Sequence, residues 1–141
     1  MHFYKDRYTS DEIPLEKFIG QAIVIDASDE CAENRDYLFG AADFEKWEAE
    51  HGRIPDGSIV LLKSGYGKYW PDREKYMGTA ERGEEAVAKL HFPGLSEKGA
   101  KWLVEERNIK VVGIDTPSID YGQSKYLKRM LCFVRSEHPD Y

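Results

Sequence analysis

Histidines, carboxylates and clustered aromatic rings are the groups in this chain that could move a proton or hold a planar ligand. The four histidines are His2, His51, His91 and His138, and no two stand at HxH or HxxxH spacing. Local spacing therefore defines no metal site. His91 precedes Phe92-Pro93-Gly94, a turn able to aim an imidazole into a cleft, although a structural histidine held by its neighbours is the commoner case. His51 closes a predicted helix, where the dipole favours it, and His138 lies in the polar tail SEHPDY. Asp115 and Asp120 flank a proline turn in IDTPSID. Two carboxylates act as acid and base where their surroundings split their pKa values. Capping turns through backbone N–H groups is the simpler use of both. Aromatic rings gather in GYGKYWPDREKYMGTAERG (65–83), with Tyr66, Tyr69, Trp70 and Tyr76. Such a stretch can wall a site for a planar ligand, or pack beneath its own loop. The opening MHFYKDRY has the same flavour, a histidine with three aromatics in eight residues.

These groups need elements to position them, and short β-branched runs supply the clearest ones. QAIVID (21–26), SIVLLKS (58–64) and IKVVGI (109–114) read as strands. The last delivers Asp115 at its carboxyl end, where open α/β sheets place their ligands. Residues 1–20 read as loop and 27–41 as polar, irregular chain. Asp43 is a predicted cap for a helix through His51, with Phe44 and Trp47 on one face and Gly52 as its stop. Pro55 and Gly57 predict a tight turn. Ser96 caps a second helix, EKGAKWLVEER, with Ala100, Leu103 and Val104 as its apolar stripe, and Asn108 ends it. EEAVAKLHF (84–92) reads as a short strand. Alternating strands and helices indicate an α/β domain.

Composition sets the outer bounds. The 141 residues suit one domain with a real core. The net charge of −6 argues against a nucleic-acid partner, which calls for a basic stripe. No apolar run reaches the roughly 18 residues of a membrane span, and no secretory h-region opens the chain. Cys31 and Cys132 are far apart without CxxC spacing, so reduced thiols and a cytoplasmic setting are expected.

Five blocks in order carry a resemblance. HFYKD (2–6), IPLEKFIGQAIVID (13–26), GRIPDGSIVLLKSGYGKYWPD (52–72), HFPGLSEKGAKWLVEE (91–106) and VVGIDTPSIDYGQSK (111–125) are similar to the cyclase family of bacterial kynurenine formamidases and isatin hydrolases. The match runs over about 2–125, leaving 126–141 as a divergent tail of a single cyclase-like domain. The resemblance implies a swivelling β/β/α domain, assembled as a homo-oligomer. It also implies hydrolysis of a C–N amide bond beside an aromatic ring, arylformamidase-like, with N-formylkynurenine as the substrate type. Zinc or manganese is the implied metal, polarising a carbonyl and activating water.

The family signature runs approximately His-x-Gly-Thr-His-x-Asp-x-Pro-x-His. Its first two histidines and its aspartate bind metal, and its last histidine shuttles a proton. His2 matches that last histidine, which makes it the implied acid/base. Trp70, His91, Phe92 and Asp115 are the implied substrate-pocket residues. Met1 stands where the signature would continue upstream, and Met130 stands near a further family histidine, where thioether is a poor ligand for a hard ion. The expectation is a domain lacking its opening strands, with exposed sheet edges and no metal ligands of its own. The alternative reading is a catalytically inactive relative that binds rather than hydrolyses.

Overall fold

The computed structural model describes residues 12–124, which form two parallel sheets and four α-helices. The three predicted strands are all present, as β1 (Ala22–Asp26), β3 (Ile59–Lys63) and β5 (Val111–Ile114). They pair in the order β1–β3–β5, all parallel, with Asp26 opposite Lys63 and the row Val24–Leu61–Gly113 at mid-strand. Period-two alternation sends Ile23, Ile25, Val60 and Leu62 into the core.

Two helices cover that face, α2 (Ala41–His51) and α4 (Glu97–Glu105). The first begins two residues before the predicted Asp43 cap. Asp43 instead sits inside the first turn and reaches back, its Oδ2 accepting the Gly40 N–H at 2.7 Å. Gly52 ends the helix at φ 85°, and Gly57 at φ 74° closes the predicted Pro55 turn. Ser96 caps α4 as expected, its Oγ accepting the Gly99 N–H at 2.9 Å. Ser96→Ala is expected to cost about 1 kcal/mol of stability, read as a lowered denaturation midpoint. Phe44 of α2 and Trp102 of α4 meet with ring centroids 5.4 Å apart. Ala100 and Leu103 are buried as the stripe predicts.

The other elements differ from expectation. Residues 27–41 contain helix α1 (Ser28–Glu33) and strand β2 (Leu38–Phe39). Asp26 starts α1 by accepting both the Ser28 N–H and its hydroxyl. Only Cys31 of α1 is buried, so its sequence carries no apolar period. Strand β2 pairs in parallel with β4 (Gly94–Leu95), each too short for a pattern. The loop 65–83 contains a 3-10 turn, Tyr66–Tyr69, and helix α3 (Arg73–Met77) capped by Asp72. The predicted strand at 84–92 is instead a 3-10 helix, Glu84–Lys89, burying only Ala86. Ala, Glu and Lys are poor strand formers, and Gly83 opens the turn. Within 1–20, Leu15–Phe18 forms a further 3-10 turn.

Among the described residues the three-stranded sheet thus carries a helical layer on one face, with the short β2–β4 pair as a second sheet. Among those residues no element covers the opposite face of the three-stranded sheet, and β1 and β5 are its outer strands.

Candidate functional site

All three long strands end at the same rim, where Asp26, Lys63-Ser64 and Asp115 come together. Asp115 leaves β5 and turns onto the loop after β3. Its Oδ1 accepts the Ser64 N–H at 2.7 Å and the Ser64 hydroxyl at 2.6 Å, and its Oδ2 accepts the Gly67 N–H at 3.4 Å. Burial is the largest influence on its pKa and acts upward, but the Ser64 and Gly67 donors outweigh it and hold the carboxyl below its ordinary value. The turn-capping use is the one realised for Asp115. At the neighbouring strand end Asp26 accepts Lys63 Nζ at 2.7 Å. That bond, followed by those from Ser28, lowers its pKa to about 2.

The clamp on Ser64 and Gly67 orders the aromatic stretch. Tyr66 is buried and meets Tyr69 edge-on at 5.2 Å, so these two rings are partly core. Trp70 is 71% exposed and rests edge-on against Tyr76 at 5.7 Å. Tyr76 in turn points its hydroxyl at the Asp115 carbonyl, 3.4 Å away. Trp70 and Asp115, implied as pocket residues, are therefore joined through Tyr76. Burial raises the Tyr76 hydroxyl pKa, and the Asp115 charge adds to it.

His91 lies next along the same surface, its N–H donating to the carbonyl of Met77 in α3 at 2.9 Å. Asp36 accepts from His91 Nδ1, with Oδ2 at 2.8 Å. That tautomer leaves Nε2 as the acceptor facing the Gln123 amide at 3.3 Å. Gln123 also donates to the Leu90 carbonyl at 2.6 Å. His91 is thus a half-exposed junction between the end of α1, the 88–94 segment and the 115–124 loop. Asp36 and Gln123 carry no sequence signal, because they stand 55 and 32 residues from His91.

Phe92, implied as a pocket residue, is 3% exposed and packs with the core cluster. His2, the implied acid/base, lies outside the described residues, as do Cys132, His138 and the family position occupied by Met130. Cys31 is buried, and burial followed by nearby carboxylates pushes its thiol up to about 12, which keeps it unreactive. His51 is exposed and stacks on Trp47 at 4.5 Å, a surface role.

The described residues do not fit a divalent ion. Asp26 is taken by Lys63 and Ser28, Asp115 by Ser64 and Gly67, and His91 by Asp36. No group of three His, Cys, Asp or Glu side chains converges among them. No described helix is long and apolar enough to cross a membrane.

Comparison with known proteins gives this geometry a context. The Cyclase family model matches residues 1–121. Isatin hydrolase of Roseibium aggregatum is 31% identical over 123 residues, covering 86% of this chain and 43% of that protein. Isatin hydrolase A from Labrenzia aggregata, solved with benzyl benzoate, superposes with a TM-score of 0.74 at 34% identity, over 89% of this chain and 47% of its own. Isatin hydrolase A from Ralstonia solanacearum gives a TM-score of 0.77 at 31% identity, over 96% and 49%. The chain spans about half the length of these relatives.

Proposed function

The chain belongs to the cyclase family, and on that premise we propose that it forms the substrate-holding part of a hydrolase. The bond cleaved is the C–N bond of an amide beside an aromatic ring. The carrying observation is the ring group at the sheet's carboxyl rim, with Trp70 exposed over Tyr76 and fixed through Asp115. An aryl ring stacks on Trp70, leaving its amide over the rim. In the hydrolysis, water adds to the carbonyl carbon, the C–N bond breaks and the leaving nitrogen gains a proton. His2 is assigned that proton transfer. Asp115 acts as a positioning residue, because its oxygens are occupied by loop donors.

N-formylkynurenine is the proposed substrate, with isatin as the comparison, since the relatives matched are isatin hydrolases. Family membership carries the expectation of zinc or manganese. The residues of 12–124 do not supply its ligands, so no step is routed through a metal. The engagement of Asp26, Asp115 and His91 by protein partners supports a second reading, an inactive relative that binds its ligand without turnover. Self-association into a homo-oligomer is part of the first reading.

Turnover of both substrates, with zinc or manganese supplied and bound metal quantified after dialysis, separates the two. Hydrolysis with Trp70→Ala raising KM about tenfold and changing kcat less supports the first reading. Ligand binding that Trp70→Ala abolishes, without turnover, supports the second. A chain that neither binds nor hydrolyses an aryl amide overturns both.

A further inference from the structure

Arg35 stands at the neck of the aromatic stretch and touches both of its ends. Its Nη2 donates to the Lys75 carbonyl in α3 at 2.6 Å, and its guanidinium carbon lies 5.9 Å from the centre of the Tyr66 ring. Tyr66 begins just past Ser64, which Asp115 holds, and Lys75 precedes Tyr76, the ring on which Trp70 rests. The path from the Trp70 ring to this cation therefore runs through Tyr76 and one peptide unit. The side chain is fixed at two points and is not buried.

Both of these partners are neutral. The carbonyl carries no charge. Burial raises the Tyr66 hydroxyl pKa, against a smaller lowering by Arg35, so the ring stays a phenol. The acids of this surface described above are committed elsewhere. Asp36, next in the chain, turns both oxygens to His91 Nδ1, at 3.1 and 2.8 Å. Asp115 serves Ser64 and Gly67, and Asp26 serves Lys63.

We propose that Arg35 binds a carboxylate on the substrate, so that the site selects aryl amides carrying an acid group over neutral ones. The proposal rests on the aryl-amide reading above and narrows its substrate class. With the aryl ring on Trp70, an acid-bearing arm of the substrate extends over Tyr76 toward α3. There the planar guanidinium fork matches the carboxylate oxygens. In a chain of net charge −6, a carboxylate is disfavoured except beside a locally uncompensated cation. Arg35 also staples the stretch through Lys75. A staple needs only an N–H donor and treats charged and neutral substrates alike, whereas carboxylate binding needs the charge, so the two roles are separable.

N-formylkynurenine and its methyl ester differ by one carboxylate charge and provide the test. The full chain should hold the acid about tenfold more tightly than the ester. This is read as KM where turnover occurs, and as Kd from quenching of tryptophan fluorescence where it does not. Raising salt from about 0.05 to about 0.5 M should shrink the preference, because an exposed ion pair is screened. Arg35→Gln, which keeps an amide donor but no charge, should abolish the preference, and Arg35→Lys should restore part of it. Should Arg35→Gln not fold by circular dichroism, the preference of the unaltered chain and its salt dependence decide the matter. Acid and ester held equally by the unaltered chain, or a preference that Arg35→Gln leaves intact, overturn the carboxylate assignment and leave the aryl-amide reading standing. A chain that holds neither compound overturns both.

Discussion

Asp115→Ala is expected to lower the thermal midpoint by about 10 °C. One carboxylate serves the Ser64 N–H, the Ser64 hydroxyl and the Gly67 N–H, and Ser64 is buried. Removing it strands a buried donor pair, and hydrogen bonds to a charged group are the strong class. Discounted for partial solvent access, the loss is about 3 kcal/mol. Asp115→Asn keeps an acceptor but not the charge, so it falls between the two. The pH dependence follows in sign. The native carboxyl sits below its ordinary 3.8, so its contribution is complete above that value and lost as pH falls through the native pKa. Urea titrations at pH 7 and in acid should show the gap between wild type and Asp115→Asn closing at low pH. A gap that stays constant would remove the charge from the explanation. The same variant should loosen the Trp70 loop, raising ligand KM while leaving the helices intact.

Gly94→Ala is expected to be as damaging by a different route. A Cβ at Gly94 would stand 2.3 Å from the Tyr121 amide nitrogen and 2.7 Å from the Asp120 carbonyl carbon. Both neighbours are backbone, so no side chain can swing aside. Strand β4 and the 115–124 loop must part, breaking the Leu95 N–H bond to the Ile119 carbonyl at 2.8 Å. The cost is about 3 kcal/mol, the upper end for forced overpacking. Gly20→Ala is the control, since its nearest neighbour outside its own chain segment lies at 3.5 Å. Equal midpoints for the two variants would refute the close-approach argument.

The same pattern decides how much of the molecule could be read beforehand. Strands β1, β3 and β5 are β-branched, uninterrupted and bounded by turn residues, so composition alone picks them out. The Ser96 cap and Gly52 stop are equally local. Helix α1 offers no period to read, because Cys31 is its only buried residue. The two-residue strands β2 and β4 exist only through each other. Of the candidate residues, Asp115 is legible as a strand-end carboxylate and Trp70 as part of a Gly-rich aromatic stretch, while the exposure of Trp70 is a product of the fold. Asp36 became visible only when the fold brought it to His91. Phe92 was implied by the family resemblance, and its burial is a product of the fold that no local pattern announces. The family itself came from five ordered blocks rather than from any single site residue.

The order β1–β3–β5 also bears on how the chain is made. Asp26 meets Lys63 from 37 residues away, and Ser64 meets Asp115 from 51. No two neighbouring strands of that sheet are adjacent in sequence, so contact order is high and folding is slow. During synthesis β1 has no partner until β3 emerges, and β3 has an empty edge until β5 does. Val24 and Leu61 therefore lie on strands whose edges stay open until the later segments emerge, the stage at which unpaired strand edges are most prone to aggregate.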